Sequence, residues 1–323
     1  MTTSYPPKNL FICATPLQTL IATQIIKEEN IDKSLCDIIY LAFNDNTINQ
    51  KYFLKFAEGT KNSIYISSGR TLSTVLQLRR FLFNQEYNAY MANIDDTLWH
   101  YALSFIKLKK LVTFDDGTAN IIPSSSFFVG IKKPPLRGFF LKIAHYLMGN
   151  RYSIDKIKRQ TFKHYSIYPG YTNAVPKTHY ISLFDKPTPA TNEKTINIFL
   201  GTVYSEATKS QRDSLRLQAS VIKLLEQFTH KYIYIPHPRE DISNIHKGII
   251  TLKNNLIAEE YILQLTQEYQ NINIYGFGSS AQFNLLNTQG INIFPVTSKL
   301  LKDSLYDTLA LLENCSNPAY NID

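Results

Sequence analysis

Apolar residues along the chain gather in short β-rich runs, and the segments between them repeat apolar positions at helical spacing. In the first half the runs are "NLFICAT" (9–15), "CDIIYLAF" (36–43), "SIYIS" (63–67), "YNAYMAN" (87–93) and "KLVTF" (110–114). Following the first of them, from Pro16, Leu17, Leu20, Ile21, Ile25 and Ile26 fall on one face of a helix. In the second half "INIFLGT" (196–202), "YIYIP" (232–236), "INIYGF" (272–277) and "INIFPV" (291–296) read as strands. Helices are expected over 209–229, 258–269, 280–287 and 299–313. Strands alternating with helices at this spacing predict an α/β fold with parallel sheets covered on both faces.

Between the two series the texture changes. "YPGYTNAVPKTHYISLFDKPTPATNEK" (168–194) is rich in Pro, Thr and Asn and reads as a linker. The expected organisation is an N-terminal α/β domain over 1–170, a linker over 171–194 and a C-terminal α/β domain over 195–323. Two doubly wound domains of this kind are expected to face a central cleft with the carboxyl ends of their strands. At the level of fold analogy that is the GT-B shape of many glycosyltransferases.

Composition narrows the class. With 323 residues, 44% hydrophobic and 19% charged, the chain is an ordinary globular protein, long enough for two cores. Three scattered cysteines, Cys13, Cys36 and Cys315, supply neither a disulfide framework nor a zinc site and favour a reducing compartment. The stretch from Met1 to Leu10 leads into a first strand and lacks the pattern of a signal peptide or a spanning helix. A cytoplasmic location is expected.

The net charge of +8 is not spread evenly. Between Lys107 and Lys163 stand twelve Lys or Arg against three Asp, so this segment carries the whole surplus. Inside it, "IKKPPLRGFFLKIAHYLMGNRY" mixes Lys132, Lys133, Arg137 and Lys142 with Phe139, Phe140, Leu141, Ile143, Tyr146 and Leu147. Two readings stand: a basic amphipathic helix lying peripherally on an anionic inner-membrane face, or a solvated helix packed on its own domain. No RNP, KH or helix-turn-helix signature accompanies the charge, so nucleic acid is not an expected partner.

Three strand ends carry candidate chemistry. "TFDDGTAN" sets Asp115, Asp116 and Gly117 after a strand, where a carboxylate can serve as general base; Asp-Gly is equally a common turn dipeptide. Asp95 and Asp96 in "NIDDTLWH" look similar but lead into a helix and read as N-caps. "YIPHPRED" holds His237 between Pro236 and Pro238, which fix the backbone around an imidazole suited to acid work near neutrality. The other six histidines (100, 145, 164, 179, 230 and 246) read as structural or surface. "NIYGFGSSAQFNL" opens a helix after Gly276, Gly278, Ser279 and Ser280, either as an anion site built on backbone N–H groups and hydroxyls or as a plain N-cap. Gly201 in "IFLGTVYS" ends a strand and could let a ligand approach the backbone in the same way. No Asp-x-Asp, HExxH or CxxC pattern appears, so no metal ligand is singled out.

Taken in order, "ICATPLQTLIA", "FDDGTANI", "YIPHPRED" and "IYGFGSSAQFNL" resemble the bacterial lipooligosaccharide sialyltransferases, glycosyltransferase family GT52, over nearly the whole chain. The resemblance implies a GT-B-like fold and an inverting transfer of sialic acid from CMP-Neu5Ac to a terminal galactose of a surface glycan. It implies no metal cofactor, and some members are homodimers. By the same resemblance Asp116 would be the base, with Asp115 its close rival, and His237 the acid for the departing CMP phosphate. Ser279 and Ser280 would hold that phosphate, with Phe277 and Gly278 beside the nucleotide through their backbone. An acidic residue for the cytidine ribose would be Glu260 or Glu259, each of which also reads as an exposed helix face. The alternatives are a hexosyltransferase of the same fold using another nucleotide-sugar, and a non-catalytic binder of anionic glycans or membrane surfaces.

Overall fold

The computed structural model describes residues 8–131, 134–184, 190–241 and 256–323. It has two compact units, the first ending at Leu183 and the second beginning at Phe184. The first unit is built on a parallel seven-stranded sheet. Its elements are β1 (Lys8–Cys13), α1 (Pro16–Glu28), β2 (Cys36–Leu41), α2 (Thr47–Ala57), β3 (Asn62–Ile66), α3 (Leu72–Leu82) and β4 (Glu86–Met91). They continue with α4 (Thr97–Ser104), β5 (Lys107–Phe114), α5 (Ser126–Val129), α6 (Pro135–Leu147), α7 (Ile154–Gln160), β6 (Thr161–Ser166) and β7 (Thr178–Tyr180).

Strand order is β3-β2-β1-β4-β5-β6-β7. The order reverses between β1 and β4, and ligands of open α/β sheets bind outside the carboxyl ends at such a point. Central β2 (CDIIYL) is buried throughout, as expected of a strand covered on both faces. One face packs Leu10, Ile12, Ile39, Met91, Leu98, Trp99 and Leu103 into a continuous core. Local chemistry starts the helices on schedule: Pro16 takes the first turn of α1 behind a Thr15 cap. Asp96 caps α4, its carboxylate accepting the Leu98 N–H at 2.8 Å.

The stretch expected as a linker from 171 belongs, up to Leu183, to this first unit. Its Thr- and Asn-rich texture has a structural use. It forms edge strand β7 against β6 and sends Asn173 back under the sheet's carboxyl end. Strand β6, "TFKHYS", alternates too weakly to stand out in sequence, yet it pairs with β5 and carries a buried histidine.

The second unit contains β8 (Thr195–Leu200), α8 (Tyr204–Ala207), α9 (Gln211–Glu226), β9 (Tyr232–Ile235), α10 (Ala258–Leu265) and β10 (Asn271–Gly276). They are followed by α11 (Ser280–Asn284), β11 (Ile291–Thr297), α12 (Asp303–Glu313) and β12 (Tyr320–Asn321). The parallel order β12-β11-β10-β8-β9 again reverses beside the unit's first strand, between β8 and β10. Phe199, Leu217, Val221, Leu224, Tyr234, Phe277 and Leu309 form the core of one face. The sequence-derived helices are each trimmed by a few residues at their ends, the usual fate of boundaries read from pattern.

Candidate functional site

In the first unit the carboxyl ends of β1, β4 and β5 converge on Asp116. The two adjacent aspartates have different settings. Asp115 is fully buried and its carboxylate is spent on four donors: Asn173 Nδ2 at 2.8 Å, Ser166 Oγ at 2.7 Å, the Ile167 N–H at 2.8 Å and His164 Nε2 at 3.0 Å. His164 Nδ1 lies 2.8 Å from Thr113 Oγ1, so the imidazole is fixed at both nitrogens. Asp115 therefore ties β5 to β6 and to the chain beyond.

Asp116 is half-buried, and its backbone N–H donates to Asn120 Oδ1 at 2.7 Å. Its carboxylate accepts the side-chain amides of Gln18 and Asn93. Each amide is anchored in turn: Gln18 Oε1 accepts the Ala14 N–H at 2.6 Å, and Asn93 Oδ1 accepts the N–H groups of Asp95 and Asp96 at 3.1 and 2.9 Å. Burial raises the Asp116 carboxyl, Gln18 opposes it, and the charge of Asp95 adds to the rise; the result is about 7. A carboxyl titrating near neutrality is matched to general-base work. Gln18, Asn93 and Asn120 escaped the sequence reading. The available signal was polar residues directly after strands, in "TPLQ", "NID" and "GTAN".

Of the aspartates read as caps, Asp96 is one, and Arg70 holds it with Nε at 2.7 Å. Asp95 is not a cap: its Oδ2 accepts Ser126 Oγ at 2.5 Å and its charge acts on Asp116. A separate cavity of about 550 Å³, lined by Lys8, Asp37, Arg80 and Tyr87 among others, opens at the amino ends of the strands. That is the edge of a doubly wound sheet away from where its ligands bind.

In the second unit His237 follows β9, and Phe277 to Ser280 follow β10; β8 lies between those two strands. The His237 imidazole is half-buried, and its Nδ1 accepts the Arg239 N–H at 3.1 Å, which leaves the proton of the neutral ring on Nε2. Burial and the Arg239 charge lower its affinity for a second proton, against the pull of Glu206. Arg239 itself is clamped by Glu206 through two hydrogen bonds of 2.6 and 2.9 Å. Glu240 folds back to accept the His237 N–H at 2.9 Å and Tyr234 Oη at 2.5 Å. Pro238 is exposed at the outer side of this turn.

Three second-unit expectations change. The space above Gly201 is not open to a ligand: a Cβ there would lie 2.2 Å from Glu240 Oε2 and 2.6 Å from Tyr234 Oη, so the glycine accommodates the turn that carries His237. The backbone donors of Gly278 and Ser279 are not presented outward. Gln282 Oε1 accepts both, at 2.9 and 3.1 Å, in a capping box where Ser279 is the N-cap of α11. What remains toward solvent are hydroxyls: Ser279 is half-buried and Ser280 exposed. Gly278 has φ +76° and Thr308 Cγ2 would lie 3.1 Å from its Cβ, so both backbone and space demand glycine. The Phe277 ring is buried edge-on against Phe199 and Tyr204. Finally, Glu259 is not on an exposed helix face. It is buried, accepts Asn284 Nδ2 at 2.7 Å, and burial raises its carboxyl. Glu260 beside it is half-buried. Among the described residues no three His, Cys, Asp or Glu side chains group closely enough to hold a metal ion. His246 lies outside the described residues.

Two α/β units, each a parallel sheet with polar groups at the carboxyl ends of its strands, fit the GT-B class. The chain matches the family model of glycosyltransferase family 52 over residues 34–300 and belongs to that family. It is 32% identical to an N-acetyllactosaminide alpha-2,3-sialyltransferase of Haemophilus influenzae, over 88% of this chain and 90% of that protein. It is 30% identical to a CMP-N-acetylneuraminate:beta-galactoside alpha-2,3-sialyltransferase of Pasteurella multocida, over 97% and 94%. Among solved structures it resembles the GT-B domain of a Photobacterium damselae sialyltransferase, with TM-score 0.50, 14% identity and coverage of 95% and 96%. A Photobacterium 2,6-sialyltransferase solved with CMP and lactose gives TM-score 0.53 at 10% identity, covering 94% of this chain and 75% of that one. At these identities the structural likeness speaks for the fold.

Proposed function

We propose that this chain transfers sialic acid from CMP-Neu5Ac to the 3-hydroxyl of a terminal β-galactose on a lipooligosaccharide or similar surface glycan. The sugar donor and the acceptor bond come from the names of its relatives. The observation that carries the residue assignment is the contrast at "FDDG": Asp115 is consumed by four donors, while Asp116 is half-buried and titrates near neutrality.

In this mechanism Asp116 takes the proton of the acceptor hydroxyl as its oxygen attacks the anomeric carbon. The bond from that carbon to the CMP phosphate oxygen breaks on the opposite face, and the configuration inverts. His237 meets the departing phosphate through Nε2–H, and the phosphate's own charge counters the effects that lower the imidazole. The hydroxyls of Ser279 and Ser280 add donors, and Glu260 takes the ribose hydroxyls. No metal is required, since a single phosphate leaves and one proton with a few donors relieves its charge.

We further propose peripheral attachment to the cytoplasmic face of the inner membrane through 107–163, and a homodimer. No helix among the described residues is long and apolar enough to cross a membrane. Helix α6, however, carries Leu136, Phe139, Phe140, Ile143 and Leu147 at helical spacing, all exposed. Lys132 and Lys133 lie outside the described residues.

The deciding experiment is turnover of CMP-Neu5Ac with lactose in the presence of EDTA, comparing the native chain with Asp116→Ala and His237→Ala. Losses of about 10²-fold or more in both variants support the assignment. Full activity in both sinks the mechanism, and turnover of UDP-glucose in place of CMP-Neu5Ac replaces the donor.

A further inference from the structure

Asp95 has no part in the mechanism above, and its place in the fold is unusual. It sits on the turn between β4 and α4, and β4 lies next to β5, the strand that Asp116 follows. The turn is rigid: Asn93 Oδ1 accepts two successive N–H groups, Asp96 caps α4, and Arg70 grips Asp96. Ser126 Oγ at the start of α5 holds the Asp95 Oδ2 at 2.5 Å. The same Asn93 that shapes this turn also donates to Asp116, so the two carboxylates are positioned by one side chain.

We propose that Asp95 is a positioning residue for Asp116: a second carboxylate, locked by Ser126 on the same turn that places Asn93 against Asp116, which tunes the group that takes the acceptor's proton. This rests on the reading of Asp116 as the base. The physical logic is that of paired carboxylates, where the ionised state of one disfavours that of the other. Asp116 is hydrogen-bonded to two amides, which alone would hold it acidic and make it a poor base. Burial opposes them most strongly, and the neighbouring Asp95 charge adds to the rise. Among the described residues, the groups that act on Asp116 include no cation. Asp115, on the same loop, adds to the rise and is consumed by its four donors. The Cys13 thiol at the end of β1 is buried, and burial together with Asp116 keeps it neutral. On α4, His100 faces Asp95 and Asp96 but is buried with Nε2 on the Ile94 carbonyl at 2.9 Å, and burial keeps it neutral. Arg70 is committed to Asp96 at 2.5 Å.

The test uses two charge-removing variants, Asp95→Asn and Asp95→Ser, each leaving Ser126 a polar partner. Two quantities are followed: the carboxyl titration of Asp116 by ¹³C NMR, assigned by difference against Asp116→Asn, and the acidic limb of kcat/KM against pH. Both should move to lower pH by about half a unit or more, roughly a threefold gain in ionised Asp116 below the limb. An unmoved Asp116 titration in the variants overturns the role of Asp95 and leaves Asp116 as base untouched. A titration that moves while the rate limb stays in place shows that Asp116 does not set the limb, and overturns the base assignment and this proposal with it. The NMR arm needs no turnover, so a variant with low activity still decides the first question. Should one variant fail to fold, the other carries both readouts.

Discussion

His164 Nε2 and Asp115 Oδ1 stand 3.0 Å apart with both side chains at 0% exposure, directly beside the half-buried Asp116. Two neighbouring aspartates are thereby divided between holding the sheet edge together and meeting solvent. Asp115→Ala would take from the buried His164 and Ser166 and the half-buried Asn173 the acceptor they share. The expected cost is about 3–5 kcal/mol, a fall in melting temperature on the order of 10 °C. Thermal unfolding checks it, and activity that is lost only in step with unfolding marks the structural role.

Asp116→Asn should behave in the opposite sense. Its carboxyl is raised to about 7 from an ordinary 3.8, so the native state binds the proton more tightly than the unfolded one. The stability this proton contributes is full below about pH 4 and is lost as pH rises toward 7. The neutral asparagine escapes that loss. Melting temperatures of the two proteins should coincide near pH 4, diverge in favour of the variant up to about pH 7, and run parallel above it. Over the same range kcat should fall by about 10²–10⁴. In the native chain kcat/KM should rise with pH through about 7, since the base works only when ionised.

The contrast between these two residues also marks where the sequence stops being readable. Both parallel sheets were visible because their central strands are continuous apolar runs, as in "CDIIYL" and "INIFLG". Asp116, His237 and Ser279 were visible because residues with chemistry directly follow such runs. The partners were not. His164 pairs with Asp115 across 49 positions, Asn173 across 58, and Gln18 reaches Asp116 across 98. No local pattern encodes contacts that only strand order creates. Glycine was misread for the same reason: Gly201 looks like an open approach until the fold returns Glu240 onto it.

Gly201→Ala should therefore act on His237 at a distance. The new methyl cannot coexist with the Glu240 carboxylate in its present place, and moving Glu240 releases the backbone N–H of His237. Overpacking of this kind costs about 1–3 kcal/mol. We expect kcat to fall about tenfold with the fold retained. Glu240→Ala should disturb the same turn, so the double variant should lose much less than the sum of the two, measured as a double-mutant cycle on kcat.

Gln282→Leu removes the acceptor shared by the Gly278 and Ser279 N–H groups and undoes the capping box of α11. The loss of stability should be about 1–2 kcal/mol. Because the serine hydroxyls are set by that cap, the KM for CMP-Neu5Ac should rise more than kcat falls. Equal effects on both would place Ser279 and Ser280 outside the donor site.

The exposed face of α6 gives the last prediction. Leu136 and Leu147, at its two ends, are 75% and 78% exposed, and Phe139 and Phe140 between them 60% and 66%. Apolar side chains in such a row, within the segment that holds the chain's whole positive surplus, fit a bilayer surface carrying anionic lipid. Phe139→Ser combined with Phe140→Ser should abolish sedimentation with phosphatidylglycerol vesicles. Turnover of soluble lactose should be unchanged, since α6 holds none of the proposed site residues. Binding of the native chain should weaken with salt, as the attraction between exposed charges is screened beyond about 8–10 Å at physiological ionic strength. If the double variant instead turns a dimer into a monomer in sedimentation velocity and still binds vesicles, the face belongs to a second copy of the chain. The basic residues would then account for the membrane by charge alone.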